Sequence, residues 1–273
     1  MGMTPGVKQV RFLWFWFVLS CVIFIGPSCL DAQSSATIPS GWVASMVPPE
    51  NSEAAVCANW AEEEWTVALS SSGSSLQIAR NPPSRATQSI DLPDGRLVGE
   101  NRGEFGGEVW WEPRSGVRQS IARTNPVAFV RVGGDVYGLV GLAHMFSDAG
   151  SLVRFELRSD GSWQMTTTLD LGAAPYAVFP AADGTLFVVL SGALARVTPP
   201  NQLTVLHRNP VWRLTYPTSI VRDQIGTLYV GMRSAVARLS PGRAGLFEDW
   251  LVPSNCVQRR QSPSRLPPCR CVQ

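Results

Sequence analysis

The chain has 273 residues, 45% of them apolar, enough to bury one full core with short appendages. Only 16% are charged and the formal net charge is +2, which excludes the basic footprint of a nucleic-acid-binding protein. Its 24 glycines and 21 prolines are spread along its length, as a β protein with many tight turns requires.

At the N-terminus, Lys8 and Arg11 precede FLWFWFVLSCVIFI, residues 12–25, which Gly26-Pro27 closes. This apolar run is shorter than the roughly 20 residues a bilayer span needs and matches the hydrophobic region of a signal peptide. Cleavage is expected after Ala32, with a retained anchor as the alternative. The expected organisation is therefore a signal peptide over 1–32, a β domain over 33–256 and a Pro/Arg/Cys-rich tail over 257–273. That places the chain outside the cytoplasm, periplasmic or extracellular, with no membrane span after cleavage. Export puts Cys57, Cys256, Cys269 and Cys271 in an oxidising compartment, where they are disulfide candidates. The terminal C-x-C has no second pair or nearby histidines and is not a metal motif.

Short strands with turn residues between them follow in chain order. GWVASMV (41–47) can start or complete a unit, and EEWTVALSSSGSSLQIAR (63–80) reads as a hairpin. A weak four-strand unit spans 92–123 around Asp94-Gly95, and a clearer one spans 125–172 with its second hairpin lengthened by LAHMFSDAG. The last two units align without a gap on Pro175 and Pro217. Gly184 then meets Gly226, Leu194 meets Val236 and Arg196 meets Arg238, a period of 42 residues. Four strands every 40–50 residues is the rhythm of a β-propeller blade. The expected fold is all-β, a propeller of about five blades, six being possible, with four antiparallel strands per blade. A β-sandwich needs no such period.

The pattern of proline, an aliphatic pair, an acidic turn, G-T-L-Y/F-V and a closing aliphatic-Arg-aliphatic strand resembles the NHL and SMP-30-like propeller repeats. The resemblance is strongest over residues 175–240. SMP-30-like lactonases hold a divalent cation with a Glu, two Asn and an Asp near the channel. PYAVFPAADG and PTSIVRDQIG carry no Asn at the matching turns, so the resemblance implies the fold and not that activity.

Residues that depart from the shared plan are the candidates for function. In NRGEFGGEVWW (101–111), Glu104 and Glu108 flank a Gly-rich turn before Trp110-Trp111. Adjacent strand residues face opposite ways, so one tryptophan is expected in the core and one exposed beside the carboxylates. In GLAHMFSDAGS (141–151), His144 and Asp148 are spaced to form a hydrogen-bonded pair. Arg131 and Arg222, on first strands that face a propeller channel, and Arg233 in the next turn are candidates for holding an anion. Glu62-Glu63-Glu64 reads as an exposed edge. No P-loop, dinucleotide fingerprint or H-E-x-x-H appears, so no cofactor or metal is expected. The leading reading is a monomeric, non-catalytic module that binds an unknown ligand or an envelope protein. The alternatives are an SMP-30-like hydrolase or lactonase using His144, Asp148 and Glu104 or Glu108, and a structural part of an envelope complex.

A ring of blades must bring its first and last units together, which sets Cys57 and Cys256 at one seam. Non-reducing peptide mapping should recover a Cys57–Cys256 peptide; a peptide joining Cys57 to Cys269 would exclude the seam staple.

Overall fold

A computed structural model describes residues 1–2, 35–80 and 87–255. Two compact units divide the chain, Met1–Ala32 and Gln33–Gln273, and every element below belongs to the second. Strand β1 (Trp42–Ser45) is followed by helix α1 (Glu53–Asn59), then by β2 (Trp65–Leu69) and β3 (Leu76–Arg80). The second blade holds β4 (Thr87–Leu92), β5 (Gly95–Asn101), β6 (Gly107–Pro113) and β7 (Gln119–Ala122). The third holds β8 (Pro126–Val132), β9 (Asp135–His144), β10 (Ser147–Leu157) and β11 (Trp163–Asp170). The fourth holds β12 (Pro175–Pro180), β13 (Leu186–Leu190), β14 (Ala193–Thr198) and β15 (Gln202–Arg208). After the short helix α2 (Trp212–Thr215), the fifth holds β16 (Ser219–Arg222), β17 (Leu228–Gly231), β18 (Val236–Gly242) and β19 (Gly245–Pro253).

These form five antiparallel sheets, and the strands of the last two blades fall where the repeat places them. The fold is a β-propeller. Two sheets depart from four strands. The first blade is the β2–β3 hairpin alone, and the fifth gains β1 as an extra outer strand on β19. The stretch 41–47 thus supplies an edge strand to the last blade, and the described residues form five blades rather than six.

The packing explains why the central strands read as unbroken apolar runs. A strand whose sheet is covered on both faces has no solvent side to fill with polar residues. In β9, Val136 and Val140 pack toward the second blade while Tyr137 and Leu139 pack toward the fourth. In β17, Leu228 and Val230 face the fourth blade and Tyr229 faces the first. Four apolar clusters fill the junctions from blade two round to blade one. Among the described residues none spans blades one and two, and the connection between them, 81–86, lies outside those residues.

The fifth and first blades are also held by polar contacts. The Thr218 hydroxyl donates to the Trp65 carbonyl at 2.6 Å, and the Val67 amide donates to Ser219 Oγ at 2.9 Å. The approach is so close that a Cβ on Gly231 would meet the Trp65 carbonyl at 2.4 Å. The repeat has Val189 at the corresponding place; glycine stands here because β2 crosses it. Arg233 donates to Glu64 at 2.8 Å across the same junction. Glu64 is buried, unlike the exposed edge expected of the acidic run, because this partner neutralises it. Asp223, also buried, accepts from the Ala36 amide at 3.1 Å and ties the 35–38 segment to the fifth blade.

Blades four and five share a buried carboxylate at their outer edges. Glu248 accepts from Trp212 Nε1 at 2.9 Å, Trp250 Nε1 at 2.8 Å and Asn209 Nδ2 at 2.9 Å, with His207 Nε2 at 2.6 Å. Burial pushes this carboxyl up, but the hydrogen bonds outweigh it and hold the group below its ordinary value. Cys57, in α1, is disulfide-bonded; Cys256, its expected partner, lies outside the described residues, as does the tail 257–273. Among the described residues no helix is long and apolar enough to cross a membrane.

Because the folded-state Glu248 carboxyl is depressed, its contribution is present above the unfolded value near 4.5 and is lost as pH falls through the folded value. Glu248→Gln removes the charge that four donors converge on and should cost about 3 kcal/mol at neutral pH. Urea unfolding at pH 7 and at pH 4 should show the gap between parent and variant narrowing at the lower pH.

Candidate functional site

The inner strands start around a central cavity of about 590 Å³. Thr66 of β2, Gln88 of β4, Val127 of β8, Tyr176 of β12 and Thr218 just before β16 all line it. The first and second blades, which share no apolar cluster among the described residues, therefore meet the same space. Its rim is built by segments outside the shared blade plan. A 3₁₀ turn, Gly103–Phe105, rises between β5 and β6, pinned by the Gly103 amide donating to Asn101 Oδ1 at 2.9 Å and by Asn125 Nδ2 donating to the Gly103 carbonyl at 2.9 Å. Opposite it stands the end of β9, carrying His144.

Glu64, Glu104 and His144 at this mouth have partners within the protein, whereas Arg102 reaches only Glu100, at 3.8 Å. His144 Nε2 lies 2.6 Å from Glu104 Oε2, joining the 3₁₀ turn to the β9–β10 hairpin. Arg233 engages Glu64 and the Asn59 carbonyl at 2.7 Å, and its guanidinium lies 4.5 Å from the centre of the Tyr216 ring. Tyr216 takes φ 45°, the left-handed region that a bulky residue rarely enters, and it does so where α2 stops and the chain turns into β16. The Tyr176 ring meets Tyr216 edge-on at 6.4 Å. Burial foremost, with Tyr216 and Asp148 adding to it, holds the Tyr176 phenol above its ordinary value against the pull of Arg233. It is thus a protonated donor at neutral pH, and its hydroxyl carries no hydrogen bond among the described residues. The Gln88 amide is in the same position.

The structure brings together only some of the candidate residues. Glu104 and His144 meet on the rim. Asp148 does not pair with His144: it accepts from the Ala174 amide at 2.8 Å and faces Arg213 at 3.6 Å. The reason is register. Asp148 pairs with Ala143 across the hairpin while His144 is next to the tip, so the two side chains point to opposite faces. Glu108 takes Arg118 at 2.7 Å and Ser120 at 2.9 Å, away from the cavity. Trp110 and Trp111 do point opposite ways, but both are buried. Trp111 stacks near Trp163 at 5.0 Å between blades, and Trp110 lies under the Arg118 guanidinium at 3.8 Å, so neither offers an exposed platform. The three arginines do not converge. Arg131 donates to the Asp91 carbonyl at 2.9 Å and Arg222 sits 5.2 Å from the Phe187 ring. Both close strands whose opposite ends line the cavity, whereas Arg233 pairs with Glu64, which lines it.

Tyr176, Gln88, Asn101 and Tyr216 were not singled out by the sequence. The usable signal lay in the repeat: the first residues of each inner strand, next to the aligned prolines, face the channel. Among the described residues no group of three or more His, Cys, Asp or Glu is arranged to hold a metal ion.

No family model matches the chain, and no curated protein matches it. Solved structures similar to it include virginiamycin B lyase from Staphylococcus aureus, at 12% identity and TM-score 0.38, covering 76% of this chain and 73% of that one. A putative gluconolactonase is similar at 13% identity and TM-score 0.40, covering 81% and 87%. The propeller domain of Nup133 from Vanderwaltozyma polyspora is similar at 10% identity and TM-score 0.29, covering 66% and 62%.

Scaffold and site residues separate by stability. Tyr176→Phe should change unfolding free energy by less than about 0.5 kcal/mol, since the hydroxyl has no hydrogen-bond partner among the described residues. Thr218→Val, which strands the Trp65 carbonyl, should cost about 1–2 kcal/mol in the same urea titration.

Proposed function

We propose that this chain is an exported binding propeller whose ligand enters the mouth cavity. The observation that carries the reading is the contrast within that cavity. Its carboxylates, Glu64 and Glu104, are already paired, while Tyr176 and Gln88 present neutral hydrogen-bonding groups without partners among the described residues, beside aromatic rings. A concave site with a few convergent polar groups and aromatic walls suits a small ligand. The paired carboxylates disfavour a cationic ligand, which would have to displace Arg233 from Glu64 or His144 from Glu104, and a neutral, polar one fits the uncommitted groups better. The reading includes export and a seam disulfide between Cys57 and Cys256, both expectations from the sequence.

A second reading, acid–base chemistry, draws support from one feature. His144 is held by Glu104 at 2.6 Å on the rim, the arrangement that orients an imidazole as a general base. A bound substrate would have to present its proton to the free ring nitrogen.

A thermal-shift screen against neutral sugars, sugar lactones and divalent metals tests the first reading. A ligand present at about a hundred times its Kd should add about 2.7 kcal/mol of stability. Tyr176→Phe should weaken that ligand about tenfold while Arg131→Ala leaves it unchanged. Equal loss in both variants would remove the cavity as the site, and turnover that disappears in His144→Ala would promote the second reading.

A further inference from the structure

We propose that the rim beside the mouth docks on an anionic lipid surface. The apolar part of this surface is the tip of the β9–β10 hairpin. His144 pairs with Ser147, leaving Met145 and Phe146 as a two-residue turn. Met145 takes φ 50°. In a two-residue hairpin a left-handed first position favours glycine, so a bulky side chain there is held against the backbone's preference. Both tip side chains point into solvent: Phe146 is 102% exposed and Met145 84%. Phe105, on the facing 3₁₀ turn, is 72% exposed. These strands, of 10 and 11 residues, are the ones the sequence lengthens beyond the blade plan, so the extra chain serves to carry this tip outward.

The polar part lies directly beside it. A concavity of about 310 Å³ is lined by Arg102, Phe105, Arg123 and Ser147, with no carboxylate in its lining. Arg123 makes no ion pair among the described residues. Arg102 has only Glu100, at 3.8 Å, and both side chains are about half exposed. The other acids of this rim are engaged: Glu104 by His144, and Asp148 by the Ala174 amide and Arg213. Two guanidinium groups available to a phosphate, next to three protruding apolar side chains, match the layered chemistry of a bilayer surface, with phosphates outside and acyl chains beneath. A protruding knob also suits a fluid apolar phase, which needs no preformed socket. The cavity shares Arg102 and Phe105 with the mouth, so docking would hold the mouth toward the lipid.

Hydrogen exchange on the full chain tests this. Vesicles of phosphatidylcholine with phosphatidylglycerol are compared with phosphatidylcholine alone, and amides of residues 102–107 and 141–150 are followed. Any contribution of the N-terminal apolar run is common to both arms. The anionic vesicles should protect both segments and the neutral ones should not. Arg102→Gln and Arg123→Gln should each weaken the anionic-vesicle effect about fivefold, and Phe146→Ser should abolish it. Met145→Gly guards against misfolding as an explanation. It relieves the left-handed strain, so it should melt no lower than the parent and still bind vesicles more weakly. Unchanged exchange, equal protection by neutral vesicles, or parental binding in Met145→Gly with Phe146→Ser overturns the proposal. Protection of the same segments by inorganic phosphate alone overturns it as well, in favour of a soluble anion site.

Discussion

Each blade of this protein has apolar side chains on both faces and can bury them only against the blades beside it. That constraint governs the rest. A sheet standing alone would leave half of Val136, Tyr137, Leu139 and Val140 in water, at a cost of about 1.5–3 kcal/mol for each large side chain left exposed. The blades are therefore stable only as a series, and the last must reach the first. The most specific contacts accordingly collect at that join, where Thr218, Ser219, Gly231 and Arg233 meet β2 and Asp223 meets the segment before β1.

Charged groups enter this apolar stack where they find partners, although the Trp65 and Trp163 indole N–H groups are buried without one among the described residues. Glu248 is the clearest case. Its side chain is 5% exposed, yet two indoles, an amide and an imidazole converge on it from blades four and five. An unpaired carboxylate there would be expelled or protonated. With these donors it joins the outer edges of two sheets whose inner parts are joined by apolar packing. Arg238 and Asp249 form a similar pair across neighbouring strands of the fifth blade.

The mouth is constructed on different terms. Inner strands begin there, so their first side chains point into a shared space and not into a neighbouring sheet. The segments that close the rim, the 3₁₀ turn at Gly103–Phe105 and the long hairpin, come from the second and third blades, and they are the parts that depart from the repeat. Their side chains contribute little to blade packing, which leaves Phe105 and Phe146 exposed for contacts with other molecules, while Tyr176 and Gln88 on the inner strands face the mouth.

Periodicity was legible in the residues because it is imposed by local chain geometry. The gap-free match of Gly184 with Gly226 reflects a turn that both blades need, and both glycines take positive φ, at 82° and 92°. The strand limits of blades four and five follow from the same alternation of turn residues and apolar runs. The first blade was less legible, because its apolar residues Val67 and Leu76 pack against β17, β18, β19 and the segment at residues 35–38 and not against further strands of its own. The site divided along the same line. Glu104 and His144 were visible as departures from the repeat, but which acid the histidine meets depends on hairpin register and on how far the neighbouring blade leans over it. The fate of Trp110 turned on Arg118, and that of Glu64 on Arg233, which is 169 residues away in the chain. The sequence by itself determined the blade rhythm and the places where it breaks, since those depend on neighbours a few residues apart. Only the tertiary structure decided which side chains share the mouth, because that depends on closing five blades around one axis.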